Sequence, residues 1–175
     1  VVEKKTKGVL YKIRYDVPGD REGAVVATTR PETMLGDTAL AIHPDDPRNA
    51  RLRGKRARLP IVGRELPVVE DAILVDREFG TGVVKVTPAH DANDFAVGQR
   101  HALPAIVVIG SDGKMTSSAG DFAELARFAT LHRRVPRLRA PGRLVTARPD
   151  AAQPQHGDTP HPTASHNPAG HRLTA

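Results

Sequence analysis

Gly80-Thr81-Gly82-Val83-Val84-Lys85-Val86-Thr87-Pro88-Ala89-His90-Asp91-Ala92-Asn93-Asp94 is the stretch on which the reading of this chain turns. The β-branched run Val83 to Thr87 reads as a strand, Pro88 ends it, and Asp91 opens a helix predicted over 92–102. Asp91 and Asp94 have the spacing of an N-cap and the third helical position, where a carboxylate meets unpaired backbone N–H groups. Lys85 and Thr87 are two residues apart and therefore share a strand face, and that face is polar where an apolar one is expected. A solvated edge strand would also produce this pattern. Gly80-Thr81-Gly82 precedes a strand instead of a helix, so it predicts a tight turn near the rim of a pocket and not a phosphate loop.

Working back along the chain, Thr28-Thr29-Arg30-Pro31-Glu32-Thr33-Met34-Leu35-Gly36-Asp37 has the same form, a strand end running into a helix start. Thr29 and Glu32 have capping-box spacing, and Pro31 suits a first helical turn. Arg30 has no such local duty. Its planar fork suits a phosphate, a ribose hydroxyl or a carbonyl. The two blocks together make one polar pocket the natural expectation.

Around them the chain is rich in short strands. Residues 8–17 alternate and 24–28 return after Pro18-Gly19-Asp20, which reads as a hairpin. Further strands are predicted over 38–43, 57–62, 65–69, 73–75, 83–87 and 105–109. The fold class is a β-rich α/β one, a curved or barrel-like mixed sheet flanked by short helices. Only 3% of the 175 residues are aromatic, so Val, Ile, Leu and Ala must build the core.

With no cysteine there is no disulfide framework and no thiolate metal site, and no metal is expected. His90-Asp91 lacks the further histidines that a metal phosphohydrolase site needs. No apolar run approaches the roughly 20 residues that cross a bilayer, and Val1-Val2-Glu3-Lys4-Lys5 has no signal-peptide shape, so a cytoplasmic protein without a membrane partner is expected. The net charge of +6 favours an RNA approach without establishing one.

In their order and separation the two blocks resemble the editing domain inserted in valyl-tRNA synthetases, which is similar to those of the isoleucyl and leucyl enzymes. Leu59-Pro60-Ile61-Val62-Gly63-Arg64 and Asp112-Gly113-Lys114-Met115-Thr116 favour the valyl branch. The resemblance implies hydrolysis of threonine misattached to the valine tRNA. In that reading Asp94 holds the α-amino group, Lys85 and Thr87 meet the side-chain hydroxyl or the ester, and Arg30, Thr28 and Thr33 position the terminal adenosine. Thr29 is placed beside them, Phe79 gives apolar contact, and Asp91 caps the helix or orients its loop. The implied partners are the acceptor end of the valine tRNA with its threonine and the rest of the synthetase. Editing implies no cofactor; ATP would serve only the synthetase body, whose HIGH-type motif this chain lacks.

The resemblance places an editing domain at 1–128, with a core at about 8–114 and an exit helix at about 119–128. From Ala129 on there is no Lys, Glu, Ile, Phe, Tyr or Met, while Arg, Pro, His, Ala and Thr dominate. Residues 129–175 are expected to be a disordered low-complexity tail or a frameshift product, with the likeness ending at Phe128. Two other readings stay open, the parent's ATP-dependent ligation of valine to tRNA and a non-catalytic RNA-binding module.

Overall fold

Ile13, Tyr15 and Val17 are buried while Lys12, Arg14 and Asp16 are exposed along β1 (Tyr11–Val17), the alternation of a half-buried strand. The computed structural model describes residues 10–134. Pro18-Gly19 turns the chain into β2 (Asp20–Thr28), and the two strands form the expected antiparallel hairpin. Four more strands follow: β3 (Ala39–Ile42), β4 (Arg56–Arg58), β5 (Glu65–Glu70) and β6 (Val83–Val86). Their order in the sheet is β2-β1-β4-β5-β3-β6, with β3 and β5 the parallel pair. The end strands β2 and β6 touch without sharing a ladder, so the mixed sheet is barrel-like and nearly closed.

β3 shows how the layers are built, because all four of its residues are buried. Leu40 and Ile42 join Ile13, Tyr15, Val26 and Leu66 in the interior, whereas Ala39 and Ala41 pack with Val75, Val86 and Val97 beneath helix α1 (Ala92–Arg100). Small side chains let the helix lie close. A second close approach occurs at Gly36, where an added Cβ would lie 2.8 Å from the Ile106 carbonyl oxygen. Gly82 combines φ of 69° with a backbone pressed on the Asp46 carboxylate, which excludes other residues.

Several predicted elements are different in the structure. Of the strand expected over 57–62, only the start is in β4; Ile61 adopts φ of 72° in a turn closed by Gly63 N–H to Leu59 O. The 73–75 segment is a turn, because Asp71 Oδ1 accepts from the N–H groups of Ile73 and Leu74. The 105–109 segment is not a strand. Val108 donates its N–H to the His90 ring and Val107 is 51% exposed, leaving Ile109 to form an isolated bridge with Met115. The exit helix predicted at about 119–128 is replaced by a 3-10 helix at Ser117–Phe122, kinked at Gly120, and a separate α2 (Arg127–Arg134). Helix α2 carries the chain through 129–134, which composition placed in the tail; the remaining tail expectation, from 135 on, lies outside the described residues. Among the described residues no helix is long and apolar enough to cross a membrane.

Candidate active site

β6 delivers Lys85 to the inward face, opposite Leu40 of β3, and Thr87 follows just past the strand end. Lys85 is only 11% exposed, and a buried ammonium needs partners for its protons. It donates to Thr33 Oγ1 at 2.7 Å, to Thr87 Oγ1 at 2.7 Å and to Asp37 Oδ1 at 3.4 Å. Thr87 in turn donates to Asp37 Oδ1 at 2.7 Å, and Tyr15 donates its hydroxyl to Asp37 Oδ2 at 2.6 Å. Burial pushes the Asp37 carboxyl up, with Lys85, Tyr15 and Thr87 opposing, and burial beside that carboxyl raises Tyr15 well above the usual phenol range.

Helix α1 supplies the second carboxylate. Asp91 caps it as expected, accepting from Asn93 N–H at 2.9 Å and Asp94 N–H at 3.3 Å. This fixes the first turn and sends Asp94 inward, where it is 7% exposed and Oδ2 accepts the Thr87 N–H at 2.8 Å. No hydrogen bond reaches Oδ1 among the described residues. Burial raises the Asp94 pKa to about 6 against the pull of the Thr87 N–H and Lys85, with Asp91 and Asp37 adding to the rise.

The TTRPET block closes over this cluster. Pro31–Gly36 is a 3-10 helix whose N-cap is Arg30, with no side-chain cap, so the Thr29–Glu32 capping box does not form. Thr28 instead accepts the Arg30 N–H at 3.1 Å, drawing the chain into the turn. Thr33 donates to Arg30 O at 3.0 Å while accepting from Lys85, which ties the turn to β6. The Arg30 side chain is exposed and reaches the other block by donating to His90 O at 3.2 Å. Thr29 is exposed with no side-chain partner in the cluster.

The structure thus brings together Thr28, Arg30, Thr33, Lys85, Thr87, Asp91 and Asp94. It does not bring in Phe79. That residue is 43% exposed in the turn before β6, at the opposite end of the strand from Thr87, and its loop is held there by Asn49 Nδ2 on Thr81 O at 3.0 Å.

Asp37, Tyr15, Arg64 and His90 belong to the site without having been singled out for it. Arg64 donates to Leu35 O at 2.7 Å and Asp37 O at 2.9 Å, fixing the backbone on both sides of Gly36. His90 accepts the Val108 N–H on Nε2 at 2.9 Å, which requires a neutral ring; burial, Arg30 and Lys85 keep its pKa below the usual 6.5. Tyr15 carried a signal, since a tyrosine on an inward strand face needs a partner for its hydroxyl.

The chemistry on offer is one-sided. All three Lys85 protons and the hydroxyl protons of Thr33 and Thr87 are used inside the cluster, so the two hydroxyls meet a ligand with oxygen lone pairs only. With Asp94 they form a set of acceptors, suited to ammonium and hydroxyl donors.

Comparison with known proteins places this arrangement. The family model for the leucyl-tRNA synthetase editing domain matches residues 48–127. The valine–tRNA ligase of Geobacillus kaustophilus is 57% identical over 129 residues, 73% of this chain and 14% of the relative. That of Gloeobacter violaceus is 53% identical over 145 residues, 83% of this chain and 16% of the relative. The chain belongs to the valine–tRNA ligase family, at its editing domain. The valine–tRNA ligase of Bacillus cereus is 46% identical over 158 residues, 90% of this chain and 18% of the relative. A match that long takes in both motif blocks. This editing domain spans about one-sixth of the length of the curated ligases it matches. Its fold is also that of the leucyl enzyme of Agrobacterium radiobacter K84 in a ternary complex with tRNA and LeuAMS, with a TM-score of 0.51 and 24% identity over 74% of this chain and 19% of that one.

Proposed function

We propose that this chain proofreads valine tRNA by hydrolysing the ester that joins misattached threonine to its terminal adenosine. The observation that carries the reading is the acceptor-only cluster, with the buried Asp94 carboxylate at its centre. Asp94 receives the α-ammonium of the amino acid, whose charge balances the buried carboxylate. The free lone pairs of Thr33 and Thr87 receive the hydroxyl proton of threonine. Isosteric valine brings no donor and would leave those acceptors dry and unpaired, which is how a polar site rejects an analogue lacking a hydroxyl. Arg30 and Thr28 hold the terminal nucleotide, and Lys85 fixes Thr33 and Thr87 from behind.

Water attacks the ester carbonyl, the tetrahedral intermediate expels the ribose oxygen, and threonine and the free tRNA end are released. The Nε2 of His90 is occupied by Val108, so the reaction draws on placement of the water and a neighbouring ribose hydroxyl instead of a histidine base. The reading needs no metal or organic cofactor; ATP belongs to the ligation of valine by the whole enzyme. It places the chain in the cytoplasm with tRNA and the rest of the ligase as partners.

The test is deacylation of threonyl-tRNA(Val) and valyl-tRNA(Val) by the full chain and by Asp94→Ala. Loss of the threonyl ester only, abolished in the variant, is the expected result. Equal hydrolysis of both esters, or hydrolysis indifferent to Asp94, would overturn the reading.

A further inference from the structure

Asp71 stands where β5 and β3 end together, donating its own N–H to Ile42 O at 2.9 Å. Its side chain is only 2% exposed, and its two oxygens have separate duties. Oδ1 accepts from the N–H groups of Ile73 and Leu74 at 3.0 and 2.9 Å and closes that turn. Oδ2 faces the C-terminal end of α1. It accepts from Arg100 Nε at 3.0 Å and Nη2 at 2.7 Å, and His101 Nε2 lies 3.1 Å from it. Burial would raise this carboxyl, but the Leu74 N–H, Arg100 and His101 outweigh it and hold the group below its ordinary 3.8.

Among the described residues, the side chains of α1 hydrogen-bond beyond the helix at Asp94, on the Thr87 N–H, and at Arg100, on Asp71. The first of these ties starts from the corner at Thr87-Pro88. So does the close approach at Gly98, where an added Cβ would lie 3.0 Å from Pro88 Cγ. Contacts with two neighbouring residues leave a helix free to pivot about their corner. Val97 packs with Ala39, Ala41 and Val86, but apolar burial carries no direction. Arg100 is six residues from Asp94, about 9 Å along the axis, so its tie to Asp71 is the one with leverage over that pivot.

We infer that Asp71 is a positioning residue for the proposed reaction, fixing from the far end of α1 the orientation in which Asp94 meets its ligand. Asp71 itself touches no reacting atom. The reaction it serves rests on the proposed editing reading, whereas its hold on Asp94 does not.

Two variants of the full chain cut the tie from either side. Arg100→Met keeps the apolar stem of a side chain that is 35% exposed and removes its donors. Asp71→Asn keeps an oxygen for the 71–75 turn but turns an amide toward Arg100. In both, amide exchange at Thr87 should quicken at least about tenfold relative to the β1 and β2 amides, because Asp94 no longer holds that N–H. For threonyl-tRNA(Val), kcat/KM should fall about ten- to a hundredfold, since misplacement from a distance is costly. The acid limb of its pH profile should move from about 6 toward 3.8 as Asp94 gains water, with Lys85, Asp91 and Asp37 still beside it. Arg100→Lys should recover most of each change. A merely structural Asp71 would quicken all amides together and leave the limb at about 6, and either result would overturn the inference. Selective quickening at Thr87, with hydrolysis indifferent to Asp94→Ala, would uphold the hold on Asp94 and remove the editing reading. Hydrolysis that needs Asp94 but ignores both cuts would remove the positioning role and leave the editing reading standing.

Discussion

Asp94 is held where its charge is uncomfortable, and the cost has a defined pH window. Its carboxyl is raised from 3.8 to about 6, so the folded state binds a proton that the unfolded state has already lost across that interval. Stability from this group is complete below pH 3.8 and is lost as pH rises through 6, on the order of 3 kcal/mol in total. Asp94→Asn keeps an oxygen for the Thr87 N–H and should therefore gain about 1–3 kcal/mol at pH 8 but little at pH 4, measured by urea unfolding at both. In the proposed editing reaction the same ionisation acts in the opposite direction. Anchoring an ammonium needs the carboxylate, so kcat/KM should rise with pH through about 6 and level off above it. Asp37 is a different case because its partners are already present. Asp37→Ala would strand the Lys85 ammonium at 11% exposure, and unfolding should show a loss of about 3–5 kcal/mol. Adding Lys85→Met should recover part of that loss, since the two residues form one unit.

Between elements, the Val108 amide is held by a single imidazole. His90 is kept below its usual 6.5, so its contribution is present above pH 6.5 and disappears as pH falls through the lowered value and the ring can no longer accept from Val108. Amide exchange at Val108 should accelerate as pH falls below 6.5 and through the lowered value, relative to the β3 amides, once both rates are normalised for their intrinsic pH dependence. Gly36→Ala would press on the backbone of this segment, on Ile106 O at 2.8 Å, and should lower stability by about 1–3 kcal/mol in thermal unfolding. The sequence spelled out β1, β2, β3, β6 and α1 because their apolar periods and caps are local. It misled at 73–75 and 105–109, where the residues are β-formers but the backbone is claimed by Asp71 and His90 side chains. No periodicity contains that information. Asp37 was hidden for a related reason: it was visible in the TTRPET block, but only the inward hydroxyl of Tyr15, 22 residues earlier, reveals the network.

At the scale of the molecule, composition anticipated a curved mixed sheet with an aliphatic interior, and Leu40, Ile42, Leu66 and Val26 supply it. Strand order was not legible, because a parallel β3–β5 pair next to antiparallel neighbours is decided by which edges remain after the hairpin has closed. The meeting of β2 and β6 has its own consequence. Thr28 ends β2 and Arg30 follows it, Lys85 belongs to β6, and the turns that continue those strands are tied across by side-chain bonds such as Arg30 to His90 and Lys85 to Thr33 in place of a ladder. The candidate site therefore lies across the clasp of the hoop. Loosening it would widen the mouth for an incoming aminoacyl end while every rung of the remaining sheet stays intact, and a disulfide engineered across it should slow substrate entry without changing the melting of the hoop.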